Sequence, residues 1–236
     1  MDNKEQYFYH RGSLGDIIYA LPTIIAYGGN AIMYLRPCHM ECLYRLLKLQ
    51  PYIIDVESTD KYKGSCINLN GYRRASRIKR SQHLAVTQLE TNNKTYDLSQ
   101  IWLHNIEPNY VADIIVANTF RYHDKEDIDW NILKPFAEKC KFIGYEKERN
   151  HFVQKNKIDI PFHKTGDALE IAQVIKGSKL FIGNQSCHFA IAEAMKHTRC
   201  LEVCEYYNNC QPHGENGYAY LTTELIEKYI NEDKNV

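Results

Sequence analysis

Residues 167–196 read DALEIAQVIKGSKLFIGNQSCHFAIAEAMK and place a helix, a strand, a loop and a second helix in succession. Over residues 168–176 the apolar side chains recur with the i, i+3, i+4, i+7 spacing of one helix face. Asp167 is placed to cap the first turn, and Gly177 follows the last turn, where a left-handed residue is favoured. Because the buried strand LFIG comes directly afterwards, this segment predicts α/β architecture.

Short apolar runs alternate with helical segments along the whole chain, as in parallel α/β proteins. The predicted strands cover residues 7–10, 31–35, 53–56, 66–69, 113–117, 141–143, 180–182 and 200–203. The connector at residues 96–109 carries Trp102 and is expected to pack partly against the rest of the chain. The sequence therefore predicts an α/β fold with two half-size units.

Domain boundaries follow from this alternation. We predict a first domain at residues 1–109, a second at residues 110–217, and a C-terminal helix and tail at residues 218–236. The helical pattern of the last segment covers residues 222–231.

Composition excludes several classes of protein. The chain has 236 residues, with 29 Lys and Arg against 29 Asp and Glu, so its net charge is zero and it is not a general polyanion-coating protein. Hydrophobic residues make up 44% and charged residues 25%, which excludes disorder along the whole chain. No apolar run approaches the roughly 20 residues of a spanning helix, and residues 1–13, MDNKEQYFYHRGS, lack the long apolar stretch of a signal peptide. We therefore expect no membrane span and a cytoplasmic protein.

The eight cysteines are scattered and form no CxxC pair, so we expect reduced thiols. Cys200, Cys204, Cys210 and His213 lie close together in the sequence, but their spacing fits no common zinc pattern. We predict no metal site.

The first candidate loop, His10 to Ile18, reads HRGSLGDII and joins a strand to a helix. Gly12, Ser13 and Gly15 allow a ligand to approach the backbone, and the first helical N–H groups favour an anion. The pattern is G-x-x-G rather than G-x-G-x-x-G, and the second strand ends in Leu-Arg-Pro without an acidic residue, which disfavours an NAD enzyme.

Asp16 lies in the first turn of the helix that follows this loop. The helix dipole keeps a carboxylate ionised there, so Asp16 is suited to accept a proton from a hydroxyl. The alternative is that Asp16 only complements the helix N-terminus. Pro22 is compatible with a helix that breaks and restarts at that position.

The second candidate loop leaves the strand at residues 180–182 and enters a helix. Its candidate donor-binding residues are Gly183, Asn184, Gln185 and Ser186. Ser186 is a plausible N-cap, and the exposed amides after it favour a phosphate. Glu193 lies two turns further on, where it would take the hydroxyls of a ribose; an ordinary solvated glutamate is the alternative. His188 is either a ligand contact or a packing residue.

A third loop carries Asn118, Thr119 and Arg121 after the first strand of the second half. A guanidinium beside amide and hydroxyl groups suits a diphosphate. A merely solubilising Arg121 is the alternative.

These segments together resemble a known family. GSLGDIIYALPTI at residues 12–24 and the segment at residues 167–196 resemble the two signature regions of the heptosyltransferase-type (family 9) GT-B glycosyltransferases. DIDWNILKPF at residues 127–136 and KFIGYEKE at residues 141–148 resemble the middle of that family's nucleotide domain. The whole chain is similar to short members of the superfamily from phages and bacteria.

The resemblance implies two Rossmann-like domains that face a cleft, with a nucleotide-sugar donor on the C-terminal domain and an acceptor on the N-terminal one. It also implies inversion at the anomeric carbon without a bound metal or cofactor. Asp16 falls at the position of the catalytic base and Ser186 at a donor-binding serine. Two positions depart from the pattern: the aspartate before that serine is Gln185 here, and the histidine four residues after the serine is Ala190.

Residues 61–89 contain no Asp or Glu but carry seven Lys and Arg residues. Arg73, Arg74 and Arg77 are the candidate acceptor contacts, with Tyr62 and Tyr72 as possible stacking groups. An anionic acceptor, either a phosphorylated glycan or modified DNA, would suit this stretch; a solvated basic face is the alternative.

Three functions remain open at this point. The leading one is a metal-independent, inverting transferase that uses a nucleotide-sugar, with Asp16 as general base and Arg121 on the leaving diphosphate. The second is a nucleotide or nucleotide-sugar binding protein that has lost catalysis, which the departures at Gln185 and Ala190 motivate. The third is an epimerase of related fold. The oligomeric state does not follow from the sequence.

Overall fold

The computed structural model describes residues 4–62, 64–123 and 128–231. Its first sheet is parallel, with strand order β3-β2-β1-β4. The strands are β1 (Gln6–Tyr9), β2 (Ala31–Leu35), β3 (Ile53–Ser58) and β4 (Ile67–Asn68). The helices of this half are α1 (Leu14–Ala26), α2 (Pro37–Lys48), α3 (Tyr72–Ile78) and α4 (Leu84–Thr91), with a 3₁₀ turn at Leu69–Gly71.

The second sheet is also parallel, with strand order β6-β5-β7-β8-β9. Its strands are β5 (Ile114–Ala117), β6 (Cys140–Phe142), β7 (Leu180–Asn184), β8 (Arg199–Glu202) and β9 (Gly217–Tyr218). The helices are α5 (Glu146–Asn156), α6 (Ala168–Gly177), α7 (Cys187–Ala194) and α8 (Thr223–Asn231), with 3₁₀ segments at Trp130–Lys139 and Glu205–Tyr207. All eight predicted strands are confirmed; β9 was missed because the polar and turn-forming sequence around Gly217 and Tyr218 contains no apolar run.

Apolar packing joins the two sheets. The largest cluster of buried apolar side chains includes Phe8 and Met33 of the first sheet together with Ile115 and Phe181 of the second. Helix α1 packs against α7, and α2 packs against α6. The connector at residues 96–109 takes part in this packing, as predicted: its Trp102 is fully buried in the cluster. The domain boundaries themselves remain a proposal.

Two local predictions are wrong. Helix α1 runs without interruption from Leu14 to Ala26 although Pro22 lies inside it, because α1 is buried along Ile17–Ile24 and its packing outweighs the cost of one lost helical hydrogen bond. Gly177 is the last residue of α6, not a left-handed residue beyond it. A Cβ there would lie 2.3 Å from the carbonyl oxygen of Asn109, so the connector's close approach requires glycine.

The other expectations concern thiols, metals and membranes. All eight cysteines are free. Within the described ranges, no group of three or more His, Cys, Asp and Glu side chains is arranged to hold a metal ion. Among those same residues, no helix has the length and apolarity needed to cross a membrane.

Candidate active site at the carboxyl ends of the strands

The first two candidate loops meet each other. Gly15 lies in the first turn of α1, directly after the loop that follows β1, and Ser186 lies in the loop after β7. A Cβ placed on Gly15 would lie 3.5 Å from the carbonyl oxygen of Ser186 and 3.6 Å from the backbone of Cys187. Ligands of open α/β sheets bind outside the carboxyl ends of strands, where these loops lie.

Asp16 is held by one of its two carboxylate oxygens. Its Oδ2 accepts hydrogen bonds from the backbone N–H of Ser13 at 2.9 Å and from the Tyr72 hydroxyl at 2.8 Å. The side chain is half-buried, and among the described residues no group bonds to Oδ1. Oδ1 is therefore the oxygen left to receive a proton.

His10 organises the same loop as a buried neutral imidazole. Its Nδ1 accepts a hydrogen bond from the N–H of Gly12 at 2.9 Å, and its Nε2 lies 3.3 Å from Oε1 of Gln88. The Gln88 amide in turn donates to the backbone carbonyl of Asp16 at 2.7 Å. Burial lowers the pKa of His10 to about 4, so the ring is neutral near pH 7 and carries its proton on Nε2.

The fit around this network leaves no room for a side chain at Gly12. A Cβ there would lie 2.4 Å from Cε1 of His10, 2.5 Å from Oη of Tyr72 and 2.7 Å from Cβ of Asp16. The His10 and Tyr72 rings stack with centroids 5.5 Å apart. Gly12 is thus needed for packing inside the loop.

Sequence reasoning missed the positioning roles of His10, Tyr72 and Gln88. Tyr72 lies 56 positions and Gln88 lies 72 positions from Asp16. No local pattern connects residues so far apart. The one available signal was a histidine two residues before a loop glycine.

Asn184, the last residue of β7, joins the second and third loops by hydrogen bonds. Its side chain is fully buried; Oδ1 accepts from the N–H of Thr119 at 3.0 Å, and Nδ2 donates to the carbonyl of Arg121 at 2.6 Å. A Cβ at Gly183 would lie 2.7 Å from the carbonyl oxygen of Ala117. Asn184 and Gly183 therefore contact the end of β5 and the loop after it, and Asn184 holds the loop backbone in place.

Ser186, Gln185 and His188 complete the second loop. Ser186 caps α7 as predicted, accepting from the N–H of Phe189 at 3.3 Å. Gln185 is buried, and its amide donates to the carbonyl of Tyr207 and to Oδ1 of Asn209. Nδ1 of His188 is buried without a partner among the described residues, and burial lowers the pKa of this imidazole to about 4.

The third loop is anchored by a glutamate that the sequence reasoning did not select. Glu202, at the end of β8, is buried; its Oε2 accepts from Nδ2 of Asn118 at 2.6 Å, and its Oε1 lies 3.0 Å from Nδ1 of His123. Arg121 is exposed, with its guanidinium 5.1 Å from the centroid of the Tyr122 ring. Among Asn118, Thr119 and Arg121, the three candidates of this loop, Arg121 is the exposed cation.

The structure gives no support to the ribose-binding role predicted for Glu193. Its carboxylate is fully buried and forms ion pairs with Arg199 and Lys196. Oε1 also accepts from the backbone N–H of His213 at 3.1 Å. Both oxygens are engaged within the protein, because the helix face that carries Glu193 points into the interior.

Comparison with known proteins rests on structure. No protein-family model matches the sequence, and none of the curated proteins matches it significantly. The fold is similar to that of a family 9 glycosyl transferase from Veillonella parvula, with a TM-score of 0.64 and 14% identity over 99% of this chain and 93% of that one. It is equally similar to the E. coli heptosyltransferase WaaC with ADP, with a TM-score of 0.64 and 12% identity over 97% and 99% of the two chains.

The chain has the GT-B fold of the heptosyltransferases. E. coli ADP-heptose heptosyltransferase II shares it more distantly, with a TM-score of 0.50 and 8% identity over 97% of this chain and 98% of that one. The fold predicted from the resemblance is therefore confirmed.

On the N-terminal side of this GT-B fold, the basic groups near Asp16 are only partly those predicted. Arg73 donates to the carbonyl of Arg11, whereas Arg74 and Arg77 are exposed along α3. Arg36 and His39, at the start of α2, were missed; Nη2 of Arg36 lies 3.0 Å from Nε2 of His39. Burial, followed by the charge of Arg36, lowers the pKa of His39, and the charges of Asp16 and Arg73 also act on it.

Proposed function

We propose that the chain is an inverting glycosyltransferase that moves a sugar from a nucleotide-sugar to an acceptor hydroxyl, with Asp16 as the general base. The observation that carries the proposal is the fixed carboxylate of Asp16: one of its oxygens has no partner among the described residues, and the preceding residue, Gly15, packs against Ser186. The GT-B fold raises the expectation of glycosyl transfer, although fold alone does not establish it.

The donor side of the proposal rests on Arg121 and on the start of α7. The exposed guanidinium of Arg121 suits phosphate oxygens, and the N–H groups that follow Ser186 provide partial positive charge. His188 adds a buried nitrogen that has no protein partner among the described residues. The comparison protein WaaC carries ADP, and by analogy we assign a nucleoside diphosphate sugar to this chain.

The reaction moves one proton and one glycosyl group. Asp16 takes the proton of the acceptor hydroxyl as its oxygen attacks the anomeric carbon, and the bond from that carbon to the diphosphate oxygen breaks. The leaving diphosphate keeps the electron pair and is stabilised by Arg121 and the α7 amides. Metal independence is part of the proposal, and transfer measured with and without EDTA tests it.

The acceptor side rests on the basic groups around Asp16. The charges of Arg36, Asp16 and Arg73 all act on His39, and Nη2 of Arg36 lies 3.0 Å from Nε2 of His39. Buried Nε of Arg36 and Nδ1 of His39 lack partners among the described residues. An acceptor with an anionic group beside its attacking hydroxyl fits this cluster; a phosphorylated glycan and modified DNA are the two sources to compare.

The rival function is nucleotide binding without turnover. Gln185, where the family has an aspartate, is buried and engaged with the segment after β8. Ala190, where the family has a histidine, is fully buried. The loss of a charge and of an imidazole at these positions favours a binding protein, and only an activity measurement separates the two functions.

The deciding experiment incubates the purified chain with a nucleotide-sugar panel and follows nucleotide release and products by mass spectrometry. Thermal shift identifies the donors that bind, because a ligand selective for the folded state raises Tm. Asp16→Asn should abolish transfer and leave the donor-induced Tm shift intact; Asp60→Asn, at an exposed position, is the matched control. Full activity of Asp16→Asn contradicts the mechanism. Donor binding without nucleotide release favours the rival function. A free, rearranged sugar as the product indicates an epimerase.

A further inference from the structure

A recess of about 450 Å³ lies at the opposite end of the second sheet. Residues 101–106 of the connector form one wall; the end of α6 and the segment between α7 and β8 form the other. We call it the connector recess. It opens at the amino end of β7, whereas Ser186 follows the carboxyl end. The four residue steps of β7 separate the two by roughly 13 Å.

The lining of the recess includes three lysines, and among the described residues no Asp or Glu takes part in it. Lys176, Lys179 and Lys196 line it, together with His104 and His197. The positive charge of Lys196 is balanced by its ion pair with Glu193. The other two lysines have neutral partners: Lys176 donates to the carbonyl of Ile106 at 2.6 Å, and Lys179 donates to the carbonyl of Ile230 at 2.9 Å.

Helix ends do not balance this charge. Lys176 lies in the last turn of α6, where it complements the helix dipole. The Ile230 carbonyl that Lys179 contacts lies in the last turn of α8, so each of the two lysines lies at a helix C-terminus, which carries only about half a negative charge and offsets part of that lysine's charge. In the described ranges neither Lys176 nor Lys179 has an ion-pair partner, and each ammonium group has three donors of which one is used.

Both walls of the recess supply apolar surface. Ile101, Leu103, Ile106 and Met195 line the recess; Ile101 is 44% exposed, whereas the other three are 9% exposed or less. Amide and hydroxyl groups of Asn105, Asn216 and Thr198 complete the lining. A few polar groups on an apolar wall are typical of a small-molecule site, and the volume falls within the usual range of roughly 300–1,000 Å³.

We propose that the connector recess binds a small organic phosphate, with its dianion between Lys176 and Lys179 and its apolar part on Ile101, Ile106 and Met195. The ligand would touch both the connector and the second sheet's helices, so its binding would stabilise their packing. This site is independent of the proposed transferase function, because it shares no residue with the Asp16 site.

Isothermal titration with phenyl phosphate and with inorganic phosphate tests the proposal. Phenyl phosphate should bind more tightly, because its ring adds apolar contact. The variant Lys176→Gln/Lys179→Gln should weaken phenyl phosphate binding at least tenfold, since each charged hydrogen bond contributes more than a neutral one. The matched control, Lys134→Gln/Lys139→Gln, makes the same charge change at exposed positions and should bind normally.

Other outcomes contradict the proposal. Absence of phenyl phosphate binding to the wild-type chain overturns it, as does equal weakening in the two lysine variants. Loss of binding in Arg121→Gln, with retention in Lys176→Gln/Lys179→Gln, assigns the anion to the donor side instead. If the double variant unfolds, Lys179→Gln alone and the methyl NMR shifts of Ile101 and Met195 on titration give the same test.

Discussion

The hydroxyl of Tyr72 donates a 2.8 Å hydrogen bond to Oδ2 of Asp16, although the two residues are 56 positions apart. Burial, reinforced by the nearby charge of Asp16, raises the pKa of Tyr72, so the phenol stays protonated and acts as a donor. With Oδ2 fixed in this way, Oδ1 is the oxygen that would receive the acceptor proton in the proposed reaction. Tyr72 is thus a positioning residue for the proposed base.

Tyr72→Phe should lower kcat by about tenfold, the equivalent of one hydrogen bond to a charged group, while donor affinity stays unchanged. The measurement is steady-state transfer with separate kcat and KM for the donor. Tyr96→Phe is the control, because the Tyr96 hydroxyl also makes one hydrogen bond, to the carbonyl of Ile101 at 3.1 Å, but contacts no residue of the proposed site. Equal kcat in the two variants contradicts the positioning role.

The stability of the fold should fall on acidification between about pH 6.5 and pH 4. Burial lowers the pKa of His10 and of His188 to about 4, so in this window the unfolded chain binds protons that the folded chain does not. For fully buried His10 the loss amounts to about 2–3 kcal/mol. Denaturant unfolding of the wild type at pH 7.5, 6 and 5 measures the slope.

His10→Asn retains an acceptor near the position of Nδ1 and should reduce the slope of this pH dependence, leaving the contribution of His188. His151→Asn, at an exposed position, is its control and should leave the slope unchanged. If the wild type and His10→Asn lose stability in parallel as the pH falls, the neutral imidazole is not the cause.

Gly12→Ala should destabilise the fold by about 2 kcal/mol or more and abolish transfer, because overpacking forces neighbours off their rotamers. The added methyl would meet His10, Tyr72 and Asp16 at 2.4–2.7 Å. Gly64→Ala is the control, since a Cβ there has no neighbour within 4 Å. Wild-type stability of Gly12→Ala would refute the tight fit.

Glu193→Gln separates the two roles considered for this glutamate. As a buried partner of Arg199 and Lys196, its loss should destabilise the fold by about 3–5 kcal/mol. Unfolding in denaturant measures this, and donor titration of the folded fraction measures affinity. Native stability together with weakened donor binding would restore the ribose-binding role; Glu170→Gln, on exposed α6 surface, is the control.

The strands and α6 were predictable because their signals are local. An apolar run of four or five residues between turn residues specifies a buried parallel strand, and the 3.6-residue period specifies the face of α6 that packs inward. The Asp167 cap was predictable for the same reason, since its carboxylate and the Glu170 N–H are three residues apart. The prediction for Gly177 was wrong because it assumed a left-handed residue after the helix. The position requires glycine because the backbone of Asn109, 68 positions earlier, packs against it.

The sequence by itself determined the α/β alternation, the loops after β1 and β7, and Asp16 at the start of a helix, because backbone propensity and hydrophobic period act over a few residues. Only the tertiary structure decided that Tyr72, His10 and Gln88 hold Asp16, and that Glu193 is buried against Arg199. Those arrangements arise when strands and helices far apart in the chain pack together, and burial then dictates which polar groups must satisfy one another.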